Sequence, residues 1–232
     1  MSTLSVPRTA AVVGAGDISR VHLTALAAMG VRVAAVVDPD PARATAAAGP
    51  LGAATYRDVE SMLAGTDVDV VHVCTPHDQH LPVAIAAIAA GRHVLVEKPL
   101  AHTLEAAEQL VTAAEHASGK VGICLQNRYN PTSQAMMAAL DGGALGPVLA
   151  GSATVVWSRT EAYYAGKRWA GERIHSGGGV LINQAIHTVD LLQWLLGPVT
   201  SVAGSAAQLL PIDGVDVEDT ASFAMVHSSP SG

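Results

Sequence analysis

The sequence predicts an α/β protein: a doubly wound parallel sheet in the first half, followed by a smaller α+β region. Three observations predict it. Short apolar runs alternate with helix-period segments from Thr9 to Leu125. Those runs are continuously apolar rather than alternating, as in strands covered on both faces. The first run ends at Gly14 and leads directly into a helical pattern, the turn by which such sheets bind ligands at the carboxyl ends of their strands.

Taken in order, Thr9–Val13 reads as a buried strand. From Asp17, the residues Ile18, Val21, Ala25 and Met29 recur at helical spacing until Gly30 stops them. Val31–Val37 is a second strand. Asp40-Pro41 is an N-cap and first-turn pair for a short Ala-rich helix. Val68–Cys74 is a third strand, Leu81–Ala90 a helix closed by Gly91, and His93–Val96 another strand. Thr103 caps a helix to about Ser118, and Lys120–Leu125 is a further strand. After Gln126 the rhythm changes. Pro131–Leu140 reads as a helix, Val148–Ser158 as a longer strand, and Arg159–Gly179 as a polar, aromatic loop. Val180–Leu196 reads as an amphipathic helix ended by Gly197-Pro198, and Val199–Leu209 and Glu218–His227 as two more strands. The domains are therefore placed at 1–126 and 127–232.

Composition narrows the classes. Half of the 232 residues are apolar and only 3% aromatic, which suits helices packed on a Val-rich sheet. A net charge of −7 speaks against nucleic acid, whose phosphates need a basic surface. Cys74 and Cys124 lie far apart in apolar runs and read as buried, reduced thiols. Met1–Pro7 lacks the pattern of a signal peptide, and no window reaches the ~18 apolar residues of a membrane span. A cytoplasmic protein is expected.

The chemistry concentrates at the predicted strand ends. Gly14 permits the tight turn, and Gly16 lets a diphosphate approach the backbone. Asp17 and Ile18 then open a helix whose N–H groups and positive dipole end face it. Ser19 stands where a third glycine is usual. Asp38 ends the second strand, where a carboxylate accepts from both adenosine ribose hydroxyls and repels a 2′-phosphate. This predicts NAD, with Arg43 nearby leaving NADP open. Thr75-Pro76 and Glu97-Lys98-Pro99 each follow a strand at the same edge. Farther on, Asn183, His187, Asp190 and Trp194 fall on one stripe of the 180–196 helix. Leu181, Val189, Leu192, Leu195 and Leu196 lie opposite. The triple glycine before that helix permits close approach of a neighbouring backbone.

Gly14-Ala15-Gly16, Cys74-Thr75-Pro76, the run Gly91 to Leu100 with its Glu-Lys-Pro, and Gly177-Gly178-Gly179 through His187 and Asp190 resemble the glucose–fructose oxidoreductase/inositol dehydrogenase/MocA family. The resemblance runs over nearly the whole chain. It implies a Rossmann domain with bound NAD or NADP, an open, mostly antiparallel sheet in the second domain, and oxidation or reduction of a sugar, polyol or nucleotide sugar. It implies that Lys98 hydrogen-bonds the reacting oxygen, that Glu97 contacts the nicotinamide ribose, and that the Lys98–Pro99 bond is cis. It places Asn127 and Arg128 beside the nicotinamide and gives His187 the proton exchange with the substrate hydroxyl. A homo-oligomer is implied for the full-length protein, and metal binding is not implied, so none is expected: the ten histidines include His72, His77 and His80, which the nucleotide domain accounts for without one.

The chain departs from that family at three places. Asn183 stands where an aspartate is common, and an amide cannot share a proton, so acid–base work falls to His187 and Lys98. Trp169 is followed by Ala170 rather than arginine. Family members also run on further, so the chain is read as truncated, with an incomplete second domain and Glu218–His227 as an open edge. The competing reading from another class is a dinucleotide-sensing binding protein, which would need neither Lys98 nor His187.

Overall fold

A computed structural model describes residues 7–143 and 145–228, and the chain divides into two compact units, 1–124 and 125–232. The absence of a leader was read from Met1–Pro7, of which all but Pro7 lie outside the described residues. Among the described residues no helix is long and apolar enough to cross a membrane.

Unit 1 alternates strand and helix: β1 (Thr9–Val13), α1 (Asp17–Ala28), β2 (Arg32–Val37), α2 (Pro41–Ala48), β3 (Ala54–Tyr56), α3 (Val59–Gly65), β4 (Val70–Val73), α4 (His80–Ala89), β5 (His93–Val96), α5 (Leu104–Glu115) and β6 (Val121–Ile123). The six strands form one sheet in the order β3-β2-β1-β4-β5-β6, every pair parallel. The order reverses between β1 and β4, and that switch point is where such sheets open a crevice. Alternate residues of β1 feed two cores. Ala10 and Val12 pack with Leu26 of α1 and Ala48 of α2, while Ala11 and Val13 pack with Met62 of α3, Ala84 of α4 and Leu110 of α5. Continuous apolar strands are the sequence form of this two-sided burial.

Two elements escape the sequence reading. β3 has three residues, too few to show a period, and belongs to the sheet edge. α3 follows Asp58, whose side chain accepts from the Ser61 N–H at 2.7 Å. That cap in Asp-x-x-Ser was a legible start signal.

Unit 2 carries a short 3₁₀ turn (Gln126–Tyr129), α6 (Pro131–Asp141), α7 (Glu161–Gly166), a 3₁₀ turn (Arg168–Gly171), α8 (Arg173–Ser176), a π-helical turn (Leu181–Ala185), α9 (Ile186–Leu196) and the antiparallel pair β7 (Val199–Ala207) and β8 (Thr220–His227). Val148–Ser158, expected as a strand, forms none. A strand needs a ladder partner, and among the described residues β7 pairs with β8 alone. The loop expected over 159–179 is instead folded into short helical turns. The helix expected from Val180 opens with a π turn. Its apolar face (Leu181, Val189, Leu192, Leu196) lines, with Val148, Val155 and Phe223, a cavity of about 1410 Å³.

Candidate active site

The carboxyl edge of the unit 1 sheet collects the residues singled out in the first hundred positions. Gly14 adopts φ +92°, and its N–H donates to the Val37 carbonyl at 2.7 Å. A Cβ there would stand 2.5 Å from the Cys74 carbonyl oxygen, so only glycine lets β1 turn beside β4. Gly16 is different. It N-caps α1 with no side-chain cap bond, and a Cβ on it would meet nothing within 4 Å. Open space thus lies against the start of α1, where Asp17 and Ile18 form the first turn. Ser19, in the third-glycine position, is buried with its hydroxyl donating to the Gly16 carbonyl at 2.6 Å.

Asp38 follows β2 and is buried. Its Oδ2 accepts from the Ala15 N–H at 2.8 Å and its Oδ1 from the Asp40 N–H at 2.9 Å. One carboxylate therefore anchors the glycine loop and keeps a lone pair on each oxygen for a ligand. Thr75, after β4, has a buried hydroxyl oxygen with no hydrogen-bond partner among the described residues, and Pro76 follows it. Buried polar atoms are rarely left unpaired unless a ligand or water completes them.

Glu97 and Lys98 follow β5, and the Lys98–Pro99 bond is cis. The Glu97 carboxylate is 7% exposed and well supplied with donors. Its Oε1 lies 2.9 Å from His22 Nε2 on α1, and its Oε2 accepts from the Lys98 N–H at 3.1 Å. Burial alone would raise its pKa, but the His22 hydrogen bond and charge, with the Lys98 N–H, outweigh burial and hold the carboxyl below the usual range. His22 Nδ1 in turn meets His72 Nδ1 of β4 at 2.8 Å. Burial, then the nearby His22, pushes His72 down to about 4, so its ring is neutral. On the other side stands Cys124. Burial and the Glu97 charge raise its thiol to about 12, and the S–H bonds to Glu97. The ligating atoms of His22, Glu97 and Cys124 lie within 4.8 Å of one another, a nitrogen, an oxygen and a sulfur that a zinc-type cation accepts. Here the same atoms hydrogen-bond among themselves. Sequence reasoning missed His22. Its signal was helical spacing: His22 lies three residues after Ser19 and four before Leu26, the other two buried positions of α1.

A second histidine, which the sequence assigned to the nucleotide domain without a specific role, has one. His80 is fully buried at the start of α4, with Nδ1 2.7 Å from the Pro99 carbonyl and Nε2 3.1 Å from the Thr75 carbonyl. It ties together the two loops that carry Thr75 and Lys98.

In unit 2, Asn127 and Arg128 lie in the 3₁₀ turn at 126–129. Arg128 forks onto Asp190 of α9, Nε to Oδ2 at 2.8 Å and Nη2 to Oδ1 at 2.5 Å, with its guanidinium 5.9 Å from the Trp194 ring. Asn183 lies within the π turn, its amide 3.5 Å from the Tyr163 hydroxyl. His187 is in the first turn of α9 and 9% exposed, so its face is covered rather than solvated. The triple glycine meets the neighbour it was expected to need. The Val180 N–H donates to the Glu218 carbonyl at 2.8 Å, and the Glu218 side chain accepts from the Gly179 and Leu181 N–H groups at 2.9 and 3.2 Å. Ala170, in place of the expected arginine, is 1% exposed, so its side chain packs inward.

Residues 8–124 match the oxidoreductase family with an NAD-binding Rossmann fold, and residues 133–230 match the GFO/IDH/MocA C-terminal domain. The chain belongs to the GFO/IDH/MocA oxidoreductase family. Relatives include 1,5-anhydro-D-fructose reductase of Ensifer adhaerens, 33% identical over 88% of this chain and 62% of that protein. Inositol 2-dehydrogenase of Rhizobium meliloti (strain 1021) is 30% identical over 94% of this chain and 64% of that one. The chain thus spans less than two thirds of either relative. Among solved structures, the WlbA dehydrogenase from Bordetella pertussis in complex with NADH and UDP-GlcNAcA is similar at a TM-score of 0.89 and 35% identity, over 93% of this chain and 67% of that one. As in other GFO/IDH/MocA members, unit 1 is an NAD-binding domain, and its residues fit the group. Space stands open at Gly16, a carboxylate waits at Asp38, and the unpaired Thr75 hydroxyl completes the edge.

Proposed function

We propose that this chain is an NAD-dependent oxidoreductase acting on a hydroxyl or carbonyl of a sugar, polyol or nucleotide sugar. The observation that carries the reading is the shared sheet edge, where the open cradle at Gly16, the Asp38 carboxylate and the Glu97-Lys98 pair all follow parallel strands. Similarity to a reductase and a dehydrogenase of sugars and polyols, and to a dehydrogenase solved with UDP-GlcNAcA, supports the substrate class.

When bound, the nicotinamide accepts or returns the hydride. In this reading the first-turn N–H groups at Asp17 and Ile18 hold the diphosphate. Asp38 takes the adenosine ribose hydroxyls, and Thr75 and Pro76 wall the cofactor. Glu97 takes a hydroxyl of the nicotinamide ribose. Lys98 donates to the reacting oxygen and stabilises charge as it develops there. The unprotonated imidazole of His187 removes the hydroxyl proton. Asn183 orients the substrate by hydrogen bonding, since an amide exchanges no proton. Asn127 flanks the nicotinamide, with Arg128 offering the Nη1 face left after its fork onto Asp190. The working protein is further proposed to be a cytoplasmic homo-oligomer with no nucleic-acid partner.

The test is turnover with a panel of inositols, aldoses and nucleotide sugars, followed by NADH absorbance, in Lys98→Met and His187→Ala. The expected loss is roughly 10²–10⁴-fold in kcat for each, the usual yield of a positioned acid–base group, with NAD affinity within a few-fold. Either residue loses its role if its variant keeps most of the rate. Cofactor binding with no panel member turned over would favour a dinucleotide sensor.

A further inference from the structure

Unit 2 holds four arginines, and three of them have found an anion. Arg128 pairs with Asp190, Arg168 with Glu172 and Arg173 with Glu218. Arg159 has not. Its one hydrogen bond runs from Nη1 to the Ser158 carbonyl at 3.2 Å, and its Nε is buried with no acceptor among the described residues. Aromatic rings brace it instead. The guanidinium carbon lies 4.8 Å from the Tyr163 ring centroid and 5.5 Å from that of Trp157, and the Lys167 ammonium lies 5.4 Å from the same Tyr163 ring. Rings restrict a guanidinium without neutralising it, so its charge and its planar fork stay available. The position matters as well. The Tyr163 hydroxyl lies 3.5 Å from the Asn183 amide, and Asn183 sits one turn ahead of His187.

We propose that Arg159, backed by Tyr163 and Trp157, is a subsite for an anionic oxygen group of the substrate, a carboxylate or a phosphate. The proposal deepens the function given above and rests on it: the sugar that is oxidised or reduced carries negative charge. Two physical arguments support it. A buried N–H without an acceptor is costly, and an incoming oxyanion removes that cost. A guanidinium in contact with two rings has already lost much of its rotamer freedom, so little more is lost when the anion docks. Lys167, on the same ring, adds to the positive field there.

The test uses the NADH-loaded chain and calorimetric titration with D-glucuronate, D-glucose 1-phosphate and D-glucose. At least one anion binds about tenfold or more tightly than glucose, the margin of a charge-assisted pair. Arg159→Gln removes that margin and leaves glucose within about twofold. Arg159→Lys keeps part of it. Whichever anion shows the margin identifies the source, carboxylate or phosphate. Anions binding no better than glucose, or a margin that survives Arg159→Gln, overturns the proposal. Should Arg159→Gln fail to fold, the Nε–H resonance of Arg159 in the unsubstituted chain decides: it shifts on adding the anion and not on adding glucose, and an unmoved resonance ends the proposal. The two readings separate cleanly. An anion margin that depends on Arg159 but no turnover of any sugar leaves the subsite standing without the reaction. Turnover of neutral sugars with no anion margin leaves the reaction standing without the subsite.

Discussion

The imidazole of His22 on the first helix and the carboxylate of Glu97 after the fifth strand meet at 2.9 Å, both under 9% exposed. An acceptor-only carboxylate fixes the tautomer of its neighbour: Nε2 of His22 carries the proton. Breaking one side strands the other. His22→Phe leaves a buried carboxylate short of a donor and costs roughly 3 kcal/mol of unfolding free energy, whereas His22→Phe with Glu97→Leu recovers part of it. Urea denaturation of the two single variants and the double variant measures this. Additive losses would show that the two side chains are not coupled.

His72 makes stability pH-dependent. Its pKa falls from 6.5 to about 4 on folding, because burial disfavours the charged ring. The unfolded chain therefore binds more protons below pH 6.5. The stabilisation is complete above that value and drains away as pH falls toward 4, amounting to about 2 kcal/mol between pH 7 and pH 5. Denaturant midpoints at the two pH values, compared between the unsubstituted chain and His72→Gln, check this. The variant has the flatter slope.

Gly14 and Gly16 give opposite outcomes when a methyl group is added. Gly14→Ala drives a Cβ into the Cys74 carbonyl at positive φ and destabilises unit 1 by more than about 2 kcal/mol. Gly16→Ala touches nothing in the chain, keeps the melting temperature, and weakens NAD binding about tenfold or more by filling the cradle. Thermal melts with NAD titrations separate the two. Unchanged NAD affinity in Gly16→Ala would mean that the open space is not the diphosphate seat.

Asp38→Ser removes both the ribose acceptor and the anchor of the glycine loop. NAD affinity falls about tenfold or more, since hydrogen bonds to a charged group contribute about 1.5–3 kcal/mol. The ratio of NAD to NADP affinity moves toward NADP. Calorimetry with each cofactor reads both numbers, and an unchanged ratio takes the cofactor choice away from Asp38.

Gly179→Ala places its Cβ against the Glu218 backbone, inside van der Waals contact with the carbonyl oxygen. Backbone cannot step aside as a flexible side chain does. Unit 2 is expected to lose at least about 2 kcal/mol. Limited proteolysis of the full chain, followed at residues 170–220, reports it as faster cleavage.

Much of unit 1 was legible because its signals are local. A glycine that must turn, a carboxylate at a strand end and a Val-rich run each show in a few consecutive residues. The His72–His22–Glu97 chain was not legible, since it joins three elements whose adjacency exists only once the sheet is ordered. β3 hid for want of length. In unit 2 the Val148–Ser158 run has the composition of a strand, yet composition cannot supply the ladder partner on which a strand depends. The stripe through Asn183 and His187 was counted at α-helical spacing, while the backbone runs as a π turn over Leu181–Ala185. The glycine triplet was read correctly as a close approach, although its neighbour, Glu218, is 39 positions away.

That π turn has a consequence of its own. Widening a helix by one residue shifts the phase of everything after it by about 100°. The direction in which His187 looks is thus set by residue count as much as by the walls around it. Deleting a single position between Leu181 and Ala185 would tidy the helix and swing the imidazole to another bearing, with the proposed proton acceptor still present and no longer aimed.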